Sequence, residues 1–267
     1  MLKKIIKSGV FLTLLVLYRV IAPFVKKSEI IVLMHHSVGS GDWQFTVTPE
    51  SFKWQIDNLR ARGFSFISAD DLYKILQGQK PTPWRAVLLS FDDGYHDFVS
   101  DALPILKEFN LPSIVFIHAD RSPKGLGNNL PLLSWDDIRE MKKYRVEIGN
   151  HSNSHPDMKS LSADNLQAEI NKTEEIFLRE TSERPKFFAF PSGRYNQKVV
   201  DCLRDNKYAL AFTINPWLVK KENDKLMLPR IGVIRNTNKI EFMARTTLAN
   251  DWYQNLIGVL FGGKPKK

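Results

Sequence analysis

Two adjacent carboxylates are the first residues in this sequence whose types and spacing suggest chemistry. Asp92 and Asp93 follow the apolar run 86–91 and precede Gly94, which permits a sharp turn. Adjacent carboxylates that leave water repel each other unless a cation or hydrogen bonds compensate their charge. The pair therefore indicates either a solvated turn or a site that binds a cation.

Two histidines follow a second apolar run, at 146–149. His151 and His155 are four residues apart in the segment NHSNSHP, and such a pair can bind one metal ion if the segment turns. In a solvated loop they would instead be ordinary surface histidines. Two histidines and one carboxylate make a three-ligand set that leaves room for water, as in catalytic metal sites. The second carboxylate is then available as a base.

A third polar segment, 191–196 (PSGRYN), follows the apolar run 187–190. It precedes a predicted helix, and backbone N–H groups at such a turn can face an anion. All three polar segments thus follow short apolar runs that predict strands. Since the carboxyl ends of parallel strands meet at one edge, we expect the three segments to lie together.

The elements that would position these segments alternate between strands and helices. This alternation indicates a parallel α/β fold, and about seven strand–helix units favour an irregular (β/α) barrel over an open sheet. The predicted strands are 29–34, 64–67, 86–91, 113–118, 146–149, 187–190, 208–214 and 226–233. The predicted helices are 49–62, 69–76, 96–109, 134–143, 162–180 and 196–206, with one or two more in 238–260.

The positive charge of the chain is concentrated at its two ends. The 267 residues include 38 Lys and Arg against 29 Asp and Glu, a net charge of +9. Residues 1–27 hold six basic groups and no acidic one, and 264–267 hold three lysines, so 28–263 is balanced. A nucleic-acid-binding protein concentrates positive charge on its folded face, so this distribution argues against a nucleic-acid partner. The single cysteine, Cys202, excludes a disulfide framework and a Cys-rich metal site.

The segment 5–25 has the length and apolar character of a membrane-spanning helix. Lys7 and Arg19 interrupt it, but basic side chains near helix ends can reach the interface. We favour an uncleaved anchor over a signal peptide, because no small-x-small cleavage site precedes Ser28. An interfacial basic helix and an ordinary buried helix are alternatives. The predicted organisation is a membrane anchor or signal-like helix at 1–27, a barrel at 28–240, and a C-terminal helix with a basic tail at 241–267.

Three motifs carry a resemblance to a known family. SFDDG (90–94), HSNSHP (151–156) and FAFPSG (188–193) resemble the first three motifs of NodB-type polysaccharide deacetylases, carbohydrate esterase family four. The resemblance runs from residue 31 to residue 233 and implies the irregular barrel of the NodB homology domain.

The resemblance also implies roles for individual residues. Asp93, His151 and His155 would bind a divalent metal, most often zinc, with Co²⁺, Ni²⁺ or Fe²⁺ as alternatives. Asp92 would be the general base. The backbone N–H of Ser192 would contribute to the oxyanion hole.

Two departures from the family pattern bear directly on the chemistry. Ala189 stands where the family usually has an arginine, and Arg230 is a candidate replacement beside Asp92. No histidine follows His155, so the usual late general acid has no counterpart in this sequence.

An early histidine offers a substitute for that acid. The segment VLMHHSV (32–38) resembles the subgroup that deacetylates poly-β-1,6-N-acetylglucosamine, in which an early histidine has this role. His36 matches it, and His35 occupies the usual tyrosine position. Neighbouring strand residues point to opposite sides, so only one of the two can face the cleft. The predicted substrate contacts, which flank the motifs, are Tyr95, His96, Pro191 and Tyr195.

The resemblance implies metal-dependent hydrolysis of the N-acetyl group of an amino sugar, in a cell-envelope polysaccharide or a lipid-linked glycan, with release of acetate. A bound metal would polarise the acetamide and activate water. Asp92 would accept the water proton, the Ser192 amide would stabilise the oxyanion, and His36 would protonate the amine. The expected partners are the glycan and, through 1–27, a membrane. The expected location is the bacterial cell envelope, on its periplasmic or outer face, with the cytoplasmic face as an alternative.

Other functions fit the same residues less well. An inactive glycan-binding module on this fold is the main alternative, but binding alone needs no base beside a metal. A glycoside hydrolase needs carboxylates on both sides of a glycosidic bond, which adjacent Asp92 and Asp93 cannot supply. Two histidines and one carboxylate also occur in non-haem iron oxygenases, but the second carboxylate and the third motif favour deacetylation.

Overall fold

The centre of the molecule is a curled sheet of short, buried strands. The computed structural model describes residues 2–24, 28–121 and 129–261. Its strands are β1 (Glu29–His35), β2 (Ser37–Val38), β3 (Thr46–Val47), β4 (Ser65–Phe66), β5 (Arg85–Phe91), β6 (Ser113–Ile117), β7 (Val146–Asn150), β8 (Phe187–Ala189), β9 (Leu210–Phe212) and β10 (Ile231–Gly232).

Seven of these strands form a half-barrel in which the strand pairings are parallel. Their order is β10-β1-β5-β6-β7-β8-β9, and β4 pairs with β5 outside this path. The strands β2 and β3 form a separate two-stranded sheet directly after β1. The prediction of an irregular (β/α) barrel of about seven strands is confirmed.

Helices connect the strands, as the alternation predicts. They are α1 (Leu2–Ile21), α2 (Pro49–Ala61), α3 (Ala69–Leu76), α4 (Leu103–Glu108), α5 (Trp135–Met141), α6 (Ala163–Thr181), α7 (Gln197–Asp205), α8 (Lys239–Arg245) and α9 (Ala249–Phe261). Thr48, Ser134 and Ser162 cap α2, α5 and α6, because each side chain accepts a hydrogen bond from the backbone N–H three residues on.

The predicted helix 96–109 is divided in the structure. A π-helical turn at Phe98–Ala102 precedes α4, and Pro104 lies in the first turn of α4. Proline lacks the N–H that would bond to the carbonyl four residues earlier, which interrupts a continuous α-helix here. The strands predicted at 208–214 and 226–233 are also shorter than expected, since only β9 and β10 pair within them.

The alternation of side chains along β1 determines which residues reach the inside of the barrel. Ile31 and Leu33 lie in the helix-facing core together with Phe52 of α2. Ile30 and Val32 lie in a second buried cluster that includes residues of β5, β8 and β9, on the concave side of the sheet. Burial on both faces is typical of a parallel sheet.

The helix α1 packs against the C-terminal helices α8 and α9. Phe11, Leu15 and Tyr18 are buried in a cluster with Ala244 and Ala249. In the part of the chain that the structure describes, one helical stretch, Ile6–Phe24, is long and apolar enough to cross a membrane. Its length, composition and position fit either a signal sequence or a membrane anchor.

Candidate metal centre and active site

Asp93, His151 and His155 come together at the carboxyl ends of two strands. Asp93 follows β5 and the histidines follow β7, with β6 between them in the sheet. The candidate ligand atoms all lie within 4.8 Å of one another. The Nε2 atoms of His151 and His155 are 3.4 and 3.5 Å from Asp93 Oδ1. The structure therefore brings together the three residues that the sequence predicts as metal ligands.

The hydrogen bonds around these residues fit a divalent cation. Among the residues that the structure describes, none forms a hydrogen bond with the buried Oδ1 of Asp93, whereas its Oδ2 accepts a hydrogen bond of 3.0 Å from the Tyr95 hydroxyl. His151 Nδ1 lies 2.8 Å from the carbonyl oxygen of Ala189. If Nδ1 donates that bond, Nε2 carries the lone pair that faces Asp93. Two nitrogens and one carboxylate oxygen form a donor set that suits Zn²⁺ and also Fe²⁺.

Charge and burial act in opposite directions on these groups. Burial acts to raise the pKa of Asp93, but the nearby imidazoles of His151 and His36 hold it well below its ordinary value. Burial lowers the pKa of His155 to about 4. At neutral pH Asp93 is therefore ionised and His155 is neutral, which are the forms that bind a metal.

The backbone of the site is strained. Asp93, Ser152, His155 and Ser192 have φ values of 70°, 69°, 56° and 51°. Left-handed conformations of non-glycine residues cost of the order of 1–3 kcal/mol each and cluster at functional sites. Gly94 follows at φ 70°, where an added Cβ would lie 2.6 Å from a methyl carbon of Ile117. The surrounding sheet must hold these turns in place.

Asp92 forms a buried ion pair with Arg230. The guanidinium donates to Oδ1 at 2.6 Å and to Oδ2 at 2.7 Å, and its Nε donates to the carbonyl of Thr213 at 2.9 Å. The Arg230 side chain is fully buried, with the rings of Phe116 and Phe212 at 5.5 and 6.0 Å. Burial acts to raise the pKa of Asp92, but Arg230 holds it below its ordinary value. Asp92 therefore stays ionised at neutral pH.

The two early histidines face different surroundings. His35 is buried in the core, where its Nε2 lies 2.9 Å from Gln55 Oε1 and its ring stacks on Phe91. His36 experiences the charges of Asp93 and Asp92, which favour its protonated form, although burial lowers its pKa overall. His36 is thus the histidine that shares its surroundings with the carboxylates.

An aromatic cluster beside His36 was not identified from the sequence. The rings of Phe45 and Trp43 lie 4.8 and 5.9 Å from the His36 ring, and Trp43 lies 5.4 Å from Tyr95. Trp43 and Phe45 are half-buried. The available signal was the alternation of Trp43 and Phe45 directly before β3, but no motif includes them. We call Trp43 and Phe45 the aromatic pair.

Two further titratable residues, half-buried Asp97 and buried His118, were not predicted as site residues. Asp97 accepts a short hydrogen bond from the Ser37 hydroxyl, next to His36, and burial raises its pKa to about 6. His118 follows β6, with its ring 6.3 Å from that of His155. Burial lowers the pKa of His118 to about 3, and neither of its ring nitrogens has a hydrogen-bond partner within the described residues. Its one sequence signal is its position at a strand end.

The four predicted substrate contacts differ in burial and in the residues around them. Tyr95 is buried and its hydroxyl is engaged with Asp93, so it supports a candidate ligand. His96 is exposed beside the same turn. Pro191 begins the turn after β8, and the Tyr195 ring stacks on Phe190 at 4.7 Å. Their contact with substrate stays a prediction.

Known proteins resemble most of this chain in sequence. The sequence model of the family Polysaccharide deacetylase matches residues 79–211, which include the carboxylate pair and both histidines. YxkH of Bacillus subtilis is 24% identical over 208 residues, which cover 78% of this chain and 72% of YxkH. The poly-β-1,6-N-acetyl-D-glucosamine N-deacetylase of Staphylococcus epidermidis is 25% identical over 219 residues, covering 78% and 72%. Residues 79–211 therefore belong to the polysaccharide deacetylase family.

Solved structures share the fold of this deacetylase. The Streptococcus pyogenes deacetylase PplD in complex with acetate has a TM-score of 0.74 at 24% identity, covering 82% of this chain and 98% of PplD. IcaB from Ammonifex degensii has a TM-score of 0.72 at 20% identity, covering 83% and 98%. The NodB-type barrel is confirmed by this likeness, and the family membership makes the protein a deacetylase hydrolase.

The ligand assignment makes a prediction about metal content. Asp93→Asn, His151→Ala and His155→Ala should each lose most of the bound metal, because each removes one of three protein ligands. Elemental analysis of the purified proteins measures this directly. The exposed His96 provides the control, since His96→Ala should keep the wild-type metal content. Wild-type metal content in all three ligand variants would show that the assignment is wrong.

Proposed function

We propose that this deacetylase hydrolyses the N-acetyl group of an N-acetylated amino sugar in a cell-envelope polysaccharide or lipid-linked glycan, and releases acetate. The observation that carries the proposal is the position of ionised Asp92, held by Arg230, beside the candidate ligands that include Asp93. The named activity of the Staphylococcus epidermidis relative supports an N-acetylated amino sugar as the substrate class.

Asp93, His151 and His155 would hold the divalent metal, which the resemblance gives as zinc. When bound, it supplies a Lewis acid for the acetamide carbonyl and lowers the pKa of water in an open position. The chain's own groups then have three tasks: to accept a proton, to stabilise the oxyanion and to return a proton.

Asp92 is the proposed general base. It is ionised at neutral pH, and it can accept the proton of the attacking water. Arg230 fixes the orientation of this carboxylate through two hydrogen bonds and leaves its remaining lone pairs for the water. The backbone N–H of Ser192, in the strained turn after β8, is the proposed donor to the oxyanion.

His36 is the proposed general acid. The departing amine needs a proton for the C–N bond to break. Burial lowers the pKa of His36, and the nearby charges of Asp93 and Asp92 act in the opposite direction, toward the protonated imidazole that this role requires. The aromatic pair beside His36 offers an apolar surface on which the ring of the sugar can pack. Its partial exposure fits contact with a ligand.

We also propose that the enzyme acts at the bacterial cell envelope, on the periplasmic or outer face. The apolar stretch Ile6–Phe24 and the basic residues of 1–27 support contact with a membrane. The named substrate of the Staphylococcus epidermidis relative, a polymer of an amino sugar, supports an envelope location.

The proposal is tested by acetate release from a panel of N-acetylated oligosaccharides and lipid-linked sugars. We expect equal amounts of acetate and new amine, loss of activity with a chelator, and recovery when Zn²⁺ is returned. Asp92→Asn is the matched control: it should keep the metal and lose about 10²–10⁴ in kcat, the range for a positioned base. Binding of the same glycans with no acetate from any of them would favour an inactive glycan-binding module instead.

The pH dependence of catalysis should change in Arg230→Lys. Lysine keeps a charge but loses the two-pronged contact, so the pKa of Asp92 should rise. The base works only when ionised, so the acid limb of kcat/KM should move to higher pH, by about one unit. Arg204→Lys on the surface of α7 is the control. An unchanged pH profile in a folded Arg230→Lys protein would show that Arg230 does not set the pKa of the catalytic base.

His36 and His35 provide a matched pair of variants. His36→Ala should keep the metal, lower kcat by about 10²–10⁴ and remove the basic limb of the kcat profile, because a general acid must be protonated. His35→Asn, a change in the core, should keep both the rate and the limb. If His35→Asn is the inactive variant and His36→Ala works normally, the acid has been assigned to the wrong histidine.

A further inference from the structure

The helix α1 has apolar side chains on two opposite faces. Phe11, Leu15 and Tyr18 recur at helical spacing and are buried against α8 and α9. On the opposite face Leu12, Val16 and Val20 are 48%, 54% and 65% exposed. A surface helix of a water-soluble protein normally turns a polar face outward. The outward face of α1 does not follow this rule.

The helix α9 carries a second set of exposed apolar side chains. Leu256, Val259 and Leu260 are 41%, 83% and 64% exposed. Leu256 and Leu260 stand three and seven residues after Tyr253, so they share its side of α9, and the Tyr253 ring packs on Phe11 of α1 at 4.2 Å. Nine of the thirteen large apolar side chains that are exposed within the described residues lie on α1, on the turn after it or on α9. We call this surface the α1–α9 face.

Specific contacts attach α1 to the barrel near both of its ends. The Tyr18 hydroxyl donates to the buried carboxylate of Glu29 at 3.0 Å. Near the other end, Lys7 Nζ lies 2.6 Å from Glu241. Asn238 Nδ2 donates to the hydroxyl of Ser8 at 2.9 Å. Release of α1 from the barrel would expose its buried aromatic residues and remove one hydrogen bond from a buried carboxylate.

These contacts also give the direction of α1. Glu29 is the first residue of β1, at the end of the barrel opposite the site. Asn238 lies shortly after the carboxyl end of β10, at the end that carries the site. A helix of 20 residues is about 30 Å long, enough to cross a bilayer. Because α1 lies along the side of the barrel, it cannot cross in this position without taking the barrel into the lipid.

We propose that docked α1 and α9 together form a lipid-binding surface that lies in the plane of an anionic bilayer and holds the barrel on its side. The charge of the chain supports an anionic lipid as the occupant. Residues 1–27 carry six basic groups and no acidic one, and 264–267 add three lysines, whereas 28–263 is balanced. Anionic headgroups attract such clusters. This inference concerns how the protein meets the membrane and does not depend on the proposed chemistry.

The first test measures binding of the full chain to vesicles of phosphatidylglycerol and phosphatidylethanolamine by flotation, with phosphatidylcholine vesicles for comparison. The variants Val16→Ser/Val20→Ser and Val259→Ser/Leu260→Ser should each bind the anionic vesicles about tenfold less or weaker still. Leu178→Ser on α6, an equally exposed leucine at 53%, is the matched control and should bind normally. Full binding by Val259→Ser/Leu260→Ser would restrict the contact to α1 and overturn the proposal.

The second test separates a helix in the membrane plane from one that crosses. Single cysteines replace Val16, Val20 or Val259 in a Cys202→Ser background and carry a fluorophore. Lipids brominated at shallow or deep acyl positions then report its depth. We expect shallow quenching at all three positions and none for a label at Leu178. Deep quenching at Val16 with none at Val259 would indicate a spanning helix and overturn the proposal.

Light scattering in the absence of lipid measures the oligomeric state, and so tests whether a second copy of the chain covers the α1–α9 face. A dimer that Val16→Ser/Val20→Ser dissociates would assign the face to self-association and overturn the proposal. A monomer supports the bilayer. None of these measurements uses catalysis, so a failure of the proposed reaction and a failure of the proposed membrane contact are distinguishable. If a serine variant does not fold, the depth measurement on the labelled proteins still decides the outcome.

Discussion

The buried ion pair between Arg230 and Asp92 is the interaction on which the rest of the site depends. It joins the carboxyl end of β5 to the chain just before β10, across 138 residues of sequence. Both charges are removed from water, and loss of one partner in such a pair typically costs about 3–5 kcal/mol because the other charge is left uncompensated. Loss of either charge alone should therefore destabilise the barrel. The same two side chains therefore keep the proposed base ionised and stabilise the barrel.

The neighbouring carboxylate is held by different means. Asp92 continues the strand alternation of Ser90 and points to the inside of the barrel, where Arg230 lies. The chain then enters a left-handed conformation at Asp93, which turns the second carboxylate toward the histidines after β7. Two adjacent and chemically identical groups thus acquire different partners because the backbone changes direction between them. The parallel sheet holds both strand ends in register, and it stabilises a turn that would be unfavourable in isolation.

The sequence was most informative where a local pattern decides the structure. Short apolar runs followed by polar motifs predicted the strand ends, and the family's arginine, absent at Ala189, made Arg230 a candidate partner of Asp92. The aromatic pair was not predicted, because its approach to His36 depends on the pairing of β2 with β3. The position of α1 was also beyond the sequence, since buried, interfacial and spanning helices share its composition. The contacts with α8 and α9 give its position beside the barrel.

The carboxylate of Glu29 connects the site-bearing barrel to the helices beside it. It accepts hydrogen bonds from Tyr18 in α1, from Arg85 in β5 and from the backbone N–H of Leu248, directly before α9. A bilayer that binds the docked helices would act as a ligand of the folded state alone, and mass action would then raise the free energy of unfolding. Tighter membrane binding would then mean a more stable barrel, because lipid binding and folding would be coupled. Protein released from lipid would then be the less stable form, and the first to be cleared by proteolysis.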